Sequence, residues 1–514
     1  MAIPGRGLNI MEIAIADWIA HHARYAPDRH AMHDLTSDRR FSYREMDLRV
    51  SRAAHYLRDG LNIAPGDRVA VLSPNDSDVF EIQFACRRLG AIFLPLNWRL
   101  AGPELEYICD DAAPAALLYG TEFTDMAEHL ADIVPVCASL NNGGDSDYES
   151  GLAAASSEPF PLAPLSPDDS WIILYTSGTT GRPKGAMISY RMAHYNAVDC
   201  QMTGDLVSTS KNLVILPTFH TGGLNVWANP LFQVGGANAV MRDFDPDLLL
   251  TYLSDKVLGI THTLGVPTNF LMMAEAAGFA DADLSHVICL CVGGAAAPPE
   301  MIKSYRAQGV RLRAMYGMTE IGPLGLSLPP EMAMAKLGSS GLPTMHTDMK
   351  ITEPDGSPTP VGQVGELMIR GPSVTKGYWN KPEATADAFT DDGWFHTGDA
   401  ARVDEDGFYY IVDRWKDMFI SGGENVYPVE VENALYQLDG VLEAAVIGVP
   451  DPKWGEVGRA FILLRAGANL DEAAIIDHCR EHLARYKVPK QVRLIDELPH
   501  NATGKILKHL LPAD

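Results

Sequence analysis

Long hydrophobic runs, basic charge and organised cysteine are what this chain has little of. No apolar stretch approaches the ~18 residues a membrane span needs, and Met1 to Trp18 lacks a basic segment followed by an apolar one. The expectation is an unexported, cytoplasmic protein without a transmembrane helix; peripheral membrane contact and a homodimer stay open. Lys and Arg number 41 against 66 Asp and Glu, a net charge of −25. A uniformly basic nucleic-acid-binding surface is thereby excluded, and a polyanionic ligand must be held by a local cluster of cations. The seven cysteines are odd in number and scattered; Cys289 and Cys291 form C-x-C rather than C-x-x-C, with no second pair at zinc spacing. They read as reduced, mostly buried thiols. What remains is ordinary. Hydrophobic residues make up 46% and charged residues 21% of 514, enough for a large core and, at ~150 residues per domain, for three or four structural units.

From Phe41 to about Leu264 short apolar runs alternate with amphipathic stretches. Val69 to Leu72 reads as a strand, Asn75 as the cap of a helix carrying Val79, Ile82, Phe84 and Leu89, and Ala91 to Leu94 as a returning strand. This βαβ rhythm predicts parallel-rich sheets covered by helices, an α/β class. Residues 141–170 read as an exposed connection. Further buried strands are expected at Trp171 to Tyr175, Asn212 to Leu216, Val287 to Val292 and Arg311 to Met315. After about residue 340, Pro, Gly and Asp punctuate short strands, Val364 to Arg370 and Phe408 to Asp413, and predict a small β-rich subdomain. Beyond the charged run Arg414 to Asp417 lies an α+β segment in which Pro428 opens a helix. The expected organisation is a large N-terminal domain (1–414), a hinge (415–417) and a small C-terminal lid (418–514).

The strongest local signal is Tyr175-Thr176-Ser177-Gly178-Thr179-Thr180-Gly181-Arg182-Pro183-Lys184-Gly185, directly after a predicted strand. Backbone N–H groups, hydroxyls and two cations at this density suit a triphosphate. It is not a Walker A loop: counting from Gly178, Pro183 stands where the second Gly belongs, and no Ser or Thr follows Lys184. Four more segments accompany it in order: Tyr316-Gly317-Met318-Thr319-Glu320, Thr397-Gly398-Asp399, Asp413-Arg414-Trp415-Lys416-Asp417 and Thr503-Gly504-Lys505. Together, over about residues 12–510, they resemble the adenylate-forming (AMP-binding) superfamily, and within it acyl-CoA synthetases of the fatty-acid and aryl-alkanoate type.

The resemblance implies a two-domain fold with a mobile lid and a two-step reaction. A carboxylate attacks the α-phosphorus of ATP to give acyl-AMP and pyrophosphate, and the thiol of CoA then displaces AMP. By position, Thr176, Ser177, Gly178, Thr179, Thr180, Gly181 and Lys184 would cradle the phosphates. Thr319 would touch the α-phosphate, and Glu320 would hold Mg²⁺ as a hard-oxygen ligand. Asp399 and Arg414 would fix the ribose hydroxyls, and Tyr316, in Tyr316-Gly317-Met318, would stack on adenine against Gly293, Gly294 and Ala295. Lys505 would bridge carboxylate and phosphate during adenylation and leave before the thiol arrives, carried by a lid that turns about Lys416. Gly422 and Gly423 would let backbone pass close to the pantetheine arm, with Trp454 beside it.

For the acid, the resemblance places His220 as a gate between ATP and acyl pocket, and Leu224, Trp227, Val266, Pro267, Met318, Ile321 and Leu324 as an apolar lining. Amino-acid-activating relatives carry an aspartate in the stretch from Pro217 to Trp227; this sequence has none, so a neutral-tailed acid is expected. Medium- and long-chain fatty acids and arylpropenoates of the ferulate kind both remain open. The rival readings are an adenylation domain loading a carrier protein, with Gly143-Gly144-Asp145-Ser146 superficially like an attachment site, a luciferase-like oxygenase, and a non-catalytic nucleotide-binding scaffold.

Overall fold

The strand Arg68–Leu72 shows how the sequence builds the body of the protein. Its central residues are buried on both faces, which a continuous apolar run requires, and a helix follows at Ser77–Leu89. Asp76 caps that helix by accepting the Val79 N–H at 3.1 Å, and Gly90 ends it with a left-handed φ of 78°. The computed structural model describes residues 15–176, 182–414, 417–501 and 504–513. Among them, a six-stranded sheet runs in the order Cys137–Leu140, Ala116–Gly120, Arg68–Leu72, Ile92–Pro95, Ser170–Thr176, Lys184–Ser189, parallel except for the last pair. A nine-stranded sheet has at its centre the parallel strands Leu312–Tyr316, Cys289–Val292, His262–Gly265, Lys211–Val214, Ala237–Val240 and His30–Asp34. The expected α/β architecture is what the chain adopts.

An antiparallel four-stranded sheet, Asp348–Thr352, Gly365–Arg370, Phe395–Val403 and Tyr409–Arg414, forms the expected β-rich subdomain. From Phe419 onward the chain builds its own sheet around the hairpin Val441–Asp451 and Gly455–Leu464, with helices Pro428–Leu435 and Glu472–His482 packed on it through Val431, Leu435, Ile475 and Cys479. No helix among the described residues is long and apolar enough to cross a membrane. Six of the seven cysteines are buried, Cys137 is exposed, and all are unpaired.

Two local expectations are corrected. Asn75 is not the helix cap; Asp76 is. The Asn75 carboxamide instead spans the seam between the two large sheets: its Nδ2 donates to the carbonyls of Leu216 (3.0 Å) and Met241 (3.2 Å), and its Oδ1 accepts the Thr218 N–H (2.8 Å). Residues 141–170 are not all connection, because Asp147–Ala154 is a helix capped by Ser146 and pinned by the fully buried Tyr148. Its polar composition hid the single aromatic anchor and the capping serine that hold it.

Candidate active site

The carboxyl ends of both large sheets open into one cavity of about 1570 Å³, the crevice where α/β sheets bind ligands. Thr176, Gly293 and Tyr316 each stand at or just beyond such a strand end and line it. The four-stranded sheet supplies a second wall through Thr397, Gly398 and Arg414, and the C-terminal segment a third through His500, Asn501, Gly504 and Lys505. Of the expected phosphate loop, Thr176 and Lys184 line the cavity. Ser177, Gly178, Thr179, Thr180 and Gly181 lie outside the described residues, as do Thr503 and the hinge residue Lys416.

The polar groups of the nucleotide wall are fixed by their neighbours. Asp399, buried, accepts the Tyr316 hydroxyl at 2.6 Å on Oδ2 and pairs through Oδ1 with Arg414 Nε at 2.7 Å. Burial first and the Asp399 charge second push the Tyr316 phenol well above its ordinary pKa, so it stays a donor. Asp399 therefore stands one step behind the surface made by Tyr316 and Arg414. Glu320, also buried, accepts hydroxyls from Tyr378 (3.1 Å) and Thr176 (3.4 Å), both on Oε1, and burial raises its pKa above the usual carboxylate value. Thr319 and Glu320 sit on a single 3₁₀ turn after the strand Leu312–Tyr316. The chain can pass here only because residue 317 is glycine: a Cβ would come within 1.5 Å of the Pro323 carbonyl oxygen.

No group of three or more metal-ligating side chains exists among the described residues. A cation held by one or two carboxylates together with substrate phosphates needs none, and Glu320 offers a buried carboxylate whose Oε1 bonds are to hydroxyls rather than to a cation. The residues fit Mg²⁺ in that manner.

His220 lines the same cavity beside Leu216, Gly222 and Leu264, and Val226, Val266 and Leu324 add to an apolar part of the lining, the acyl arm. Burial, and then the nearby Lys505 charge, lower its pKa to about 4, so the ring is neutral. Its Nδ1 accepts the Gly222 N–H at 3.1 Å, which assigns the proton to Nε2. His220 thus gives the cavity a neutral donor. Gly222 carries no side chain into the arm; a Cβ there would stand 3.0 Å from Leu216 Cδ1 and 3.2 Å from His220 Nδ1.

Several expected residues stand elsewhere. Val266 and Met318 line the cavity, but Leu224 and Trp227 do not, nor do Pro267 and Ile321. The turn Gly222–Val226 is a single π-helical turn that faces Gly222 and Val226 inward, which sends Leu224 and Trp227 into separate core clusters. Ala295 is exposed and does not line the cavity, while Gly293 and Gly294 do, because the chain turns at Gly294 with φ 77°. Gly422, Gly423 and Trp454 form a hairpin edge outside the cavity, where the Trp454 carbonyl accepts the Gly422 N–H at 2.8 Å. Tyr378, Thr268 and His500 are cavity residues that the sequence did not single out. Their partners stand between 57 and 175 positions away, beyond any local pattern.

Comparison with known proteins agrees with this geometry. Residues 19–379 match the family model "AMP-binding enzyme", and residues 430–505 match "AMP-binding enzyme C-terminal domain". The chain belongs to the AMP-binding enzyme family. A feruloyl-CoA synthase of Amycolatopsis sp is 41% identical over 96% of this chain and 97% of its own length. An indoleacetate–CoA ligase of Aromatoleum aromaticum is 36% identical over 96% of each chain. A long-chain-fatty-acid–CoA ligase of Mycobacterium tuberculosis is 36% identical over 96% of this chain and 97% of its own. Among solved structures, ATP-bound MatB from Rhodopseudomonas palustris superposes with a TM-score of 0.89 at 31% identity, covering 97% of this chain and 98% of that one. As an AMP-binding enzyme, the chain has the machinery of an AMP-forming acyl-CoA synthetase, with ATP, CoA and a small carboxylic acid as substrates.

Proposed function

We infer that this synthetase activates a hydrophobic, neutral-tailed acid of the arylpropenoate or aryl-alkanoate class, ferulate-like acids foremost. The observation that carries it is the apolar lining that Leu216, Val226 and Leu264 give the cavity that also holds neutral His220. An apolar lining suits an aromatic tail, and none of these side chains would pair with a charged one. The 41% identical feruloyl-CoA synthase supports the same choice.

In the first step the acid's carboxylate lies between His220 Nε2 and the Lys505 ammonium, and one carboxylate oxygen attacks the α-phosphorus. The bond to the pyrophosphate oxygen breaks as the acyl–phosphate bond forms. Lys184, Thr176 and Thr319 hold phosphate oxygens, while Arg414, backed by Asp399, holds the ribose. Mg²⁺, when bound at Glu320, supplies charge neutralisation on the phosphates. Positioned donors of this kind carry most of the rate of phosphoryl chemistry. In the second step the CoA sulfur attacks the acyl carbon, the bond to the phosphate oxygen breaks, AMP leaves and the thiol proton passes to solvent. A thiol of pKa ~8.5 needs no dedicated base. Lys505 occupies the cavity in this structure, so the thiol requires the lid, residues 418–514, to turn about 415–417. That turn would present Gly422, Gly423 and Trp454 to the pantetheine arm.

The test is CoA-dependent AMP formation with magnesium over a panel of arylpropenoates, aryl-acetates and alkanoates from short to long. Ferulate and cinnamate are expected to give the highest kcat/KM. A long-chain alkanoate preferred by tenfold or more would overturn the choice of acid while leaving the reaction class intact.

A further inference from the structure

Glu443 belongs to neither the nucleotide wall nor the acyl arm, yet it sits where the two moving parts meet. It is buried in the lid strand Val441–Asp451, only 4% exposed, and does not line the cavity. Its Oε1 takes the Thr268 hydroxyl from the body at 3.1 Å and the His500 Nε2 from the lid at 3.2 Å. Thr268 stands in the first turn of the body helix Pro267–Glu275 and also reaches the Gly504 carbonyl at 3.4 Å.

His500 opens the turn that carries Lys505. Asn501 closes this turn twice: its Oδ1 accepts the Lys505 N–H at 2.8 Å, and its own N–H donates to the Lys505 carbonyl at 2.7 Å. At the same turn Gly504 holds φ +81° and lies so close to the body that a Cβ would stand 2.9 Å from Val266 Cγ2. A buried carboxylate is costly unless hydrogen-bonded. Glu443 has its partners divided between body and lid, so it keeps His500 when the lid departs and loses only Thr268. That division suits a contact made and broken once per turnover.

We propose that Thr268 and Glu443 form a latch that docks the Lys505 turn for adenylation and releases it before thioester formation. The latch rests on the two-step, lid-turning reaction proposed above. Both are positioning residues: they act on the reacting atoms only through where they hold Lys505.

The experiment measures two half-reactions separately: pyrophosphate release from ATP and acid without CoA, and thioester formation from preformed acyl-AMP and CoA. Thr268→Val and Glu443→Ala are each expected to slow the first about tenfold, the scale of losing one hydrogen bond to a charged group, and to leave the second within about twofold. Because the two residues share one bond, while Thr268 also reaches Gly504 and Glu443 also holds His500, the double variant should lose less than the two single losses combined. Thr268→Ser, which restores the hydroxyl, should recover adenylation. Equal loss in both half-reactions, additive losses, or no loss in either would overturn the latch. Should Glu443→Ala not fold, the Thr268→Val and Thr268→Ser pair decides alone. A native enzyme that released no pyrophosphate with any acid would instead refute the two-step reading beneath it.

Discussion

The body and the lid hold their charged groups in different ways. On the body, Asp399, Arg414 and Tyr316 satisfy one another within the four-stranded sheet and the adjacent strand, and Glu320 is held by Tyr378 and Thr176. On the lid, Lys505 reaches the same cavity with its ammonium buried, its pKa lowered first by that burial and then by Arg414. Its turn meets the body at Thr268, and the Arg465–Glu275 ion pair and the Val429 N–H bond to Asp413 are further cross-contacts. Tyr316, Arg414 and Glu320 are thus held by partners within the body, whereas Lys505 comes to the cavity on a turn of the C-terminal segment.

The largest test of this contrast is Lys505→Ala. Pyrophosphate release should fall by at least ~10²-fold, the scale for removing one positioned transition-state donor, with thioester formation from preformed acyl-AMP largely spared. Comparable loss in both half-reactions would erase the distinction. Next is Arg414→Gln on the body, which should slow both half-reactions about tenfold, because AMP is held in each; loss confined to one would put Arg414 in the wrong class.

The smallest effect is in the pH profile. Lysine carries its charge below its pKa, and that of Lys505 is lowered, so adenylation should decline as pH rises through a value below the ordinary 10.5. Thioester formation should rise over the same range as the thiol of pKa ~8.5 ionises. Lys505→Arg should remove the alkaline decline, because a guanidinium keeps its charge. His220, with a pKa of about 4, adds no limb near 6.5. Parallel profiles for the two half-reactions would contradict the division of labour.

The nucleotide wall was legible because its residues are written as contiguous strings: a strand runs out and the next few residues line the cavity, as in Tyr316 to Glu320. The strands were legible for a related reason, since sheets covered on both sides demand unbroken apolar runs. The acyl arm was not. Between Gly222 and Trp227 a single π turn decides which side chains face the ligand, and Leu224 and Trp227 have the composition of a pocket and the position of a core. Asn75 looked like a cap because it precedes a helix, when the adjacent Asp76 took that role. The Thr268–Glu443 contact joins positions 175 residues apart, and only the closed fold brings them together.

The carboxamide of Asn75 gives the body its final property. One side chain stitches the exit of one large sheet to the exits of the other, at the rim of the very cavity the ligands enter. Opening that rim would cost three hydrogen bonds at once. Should the lid turn as proposed, access would change from its side of the cavity rather than from this seam.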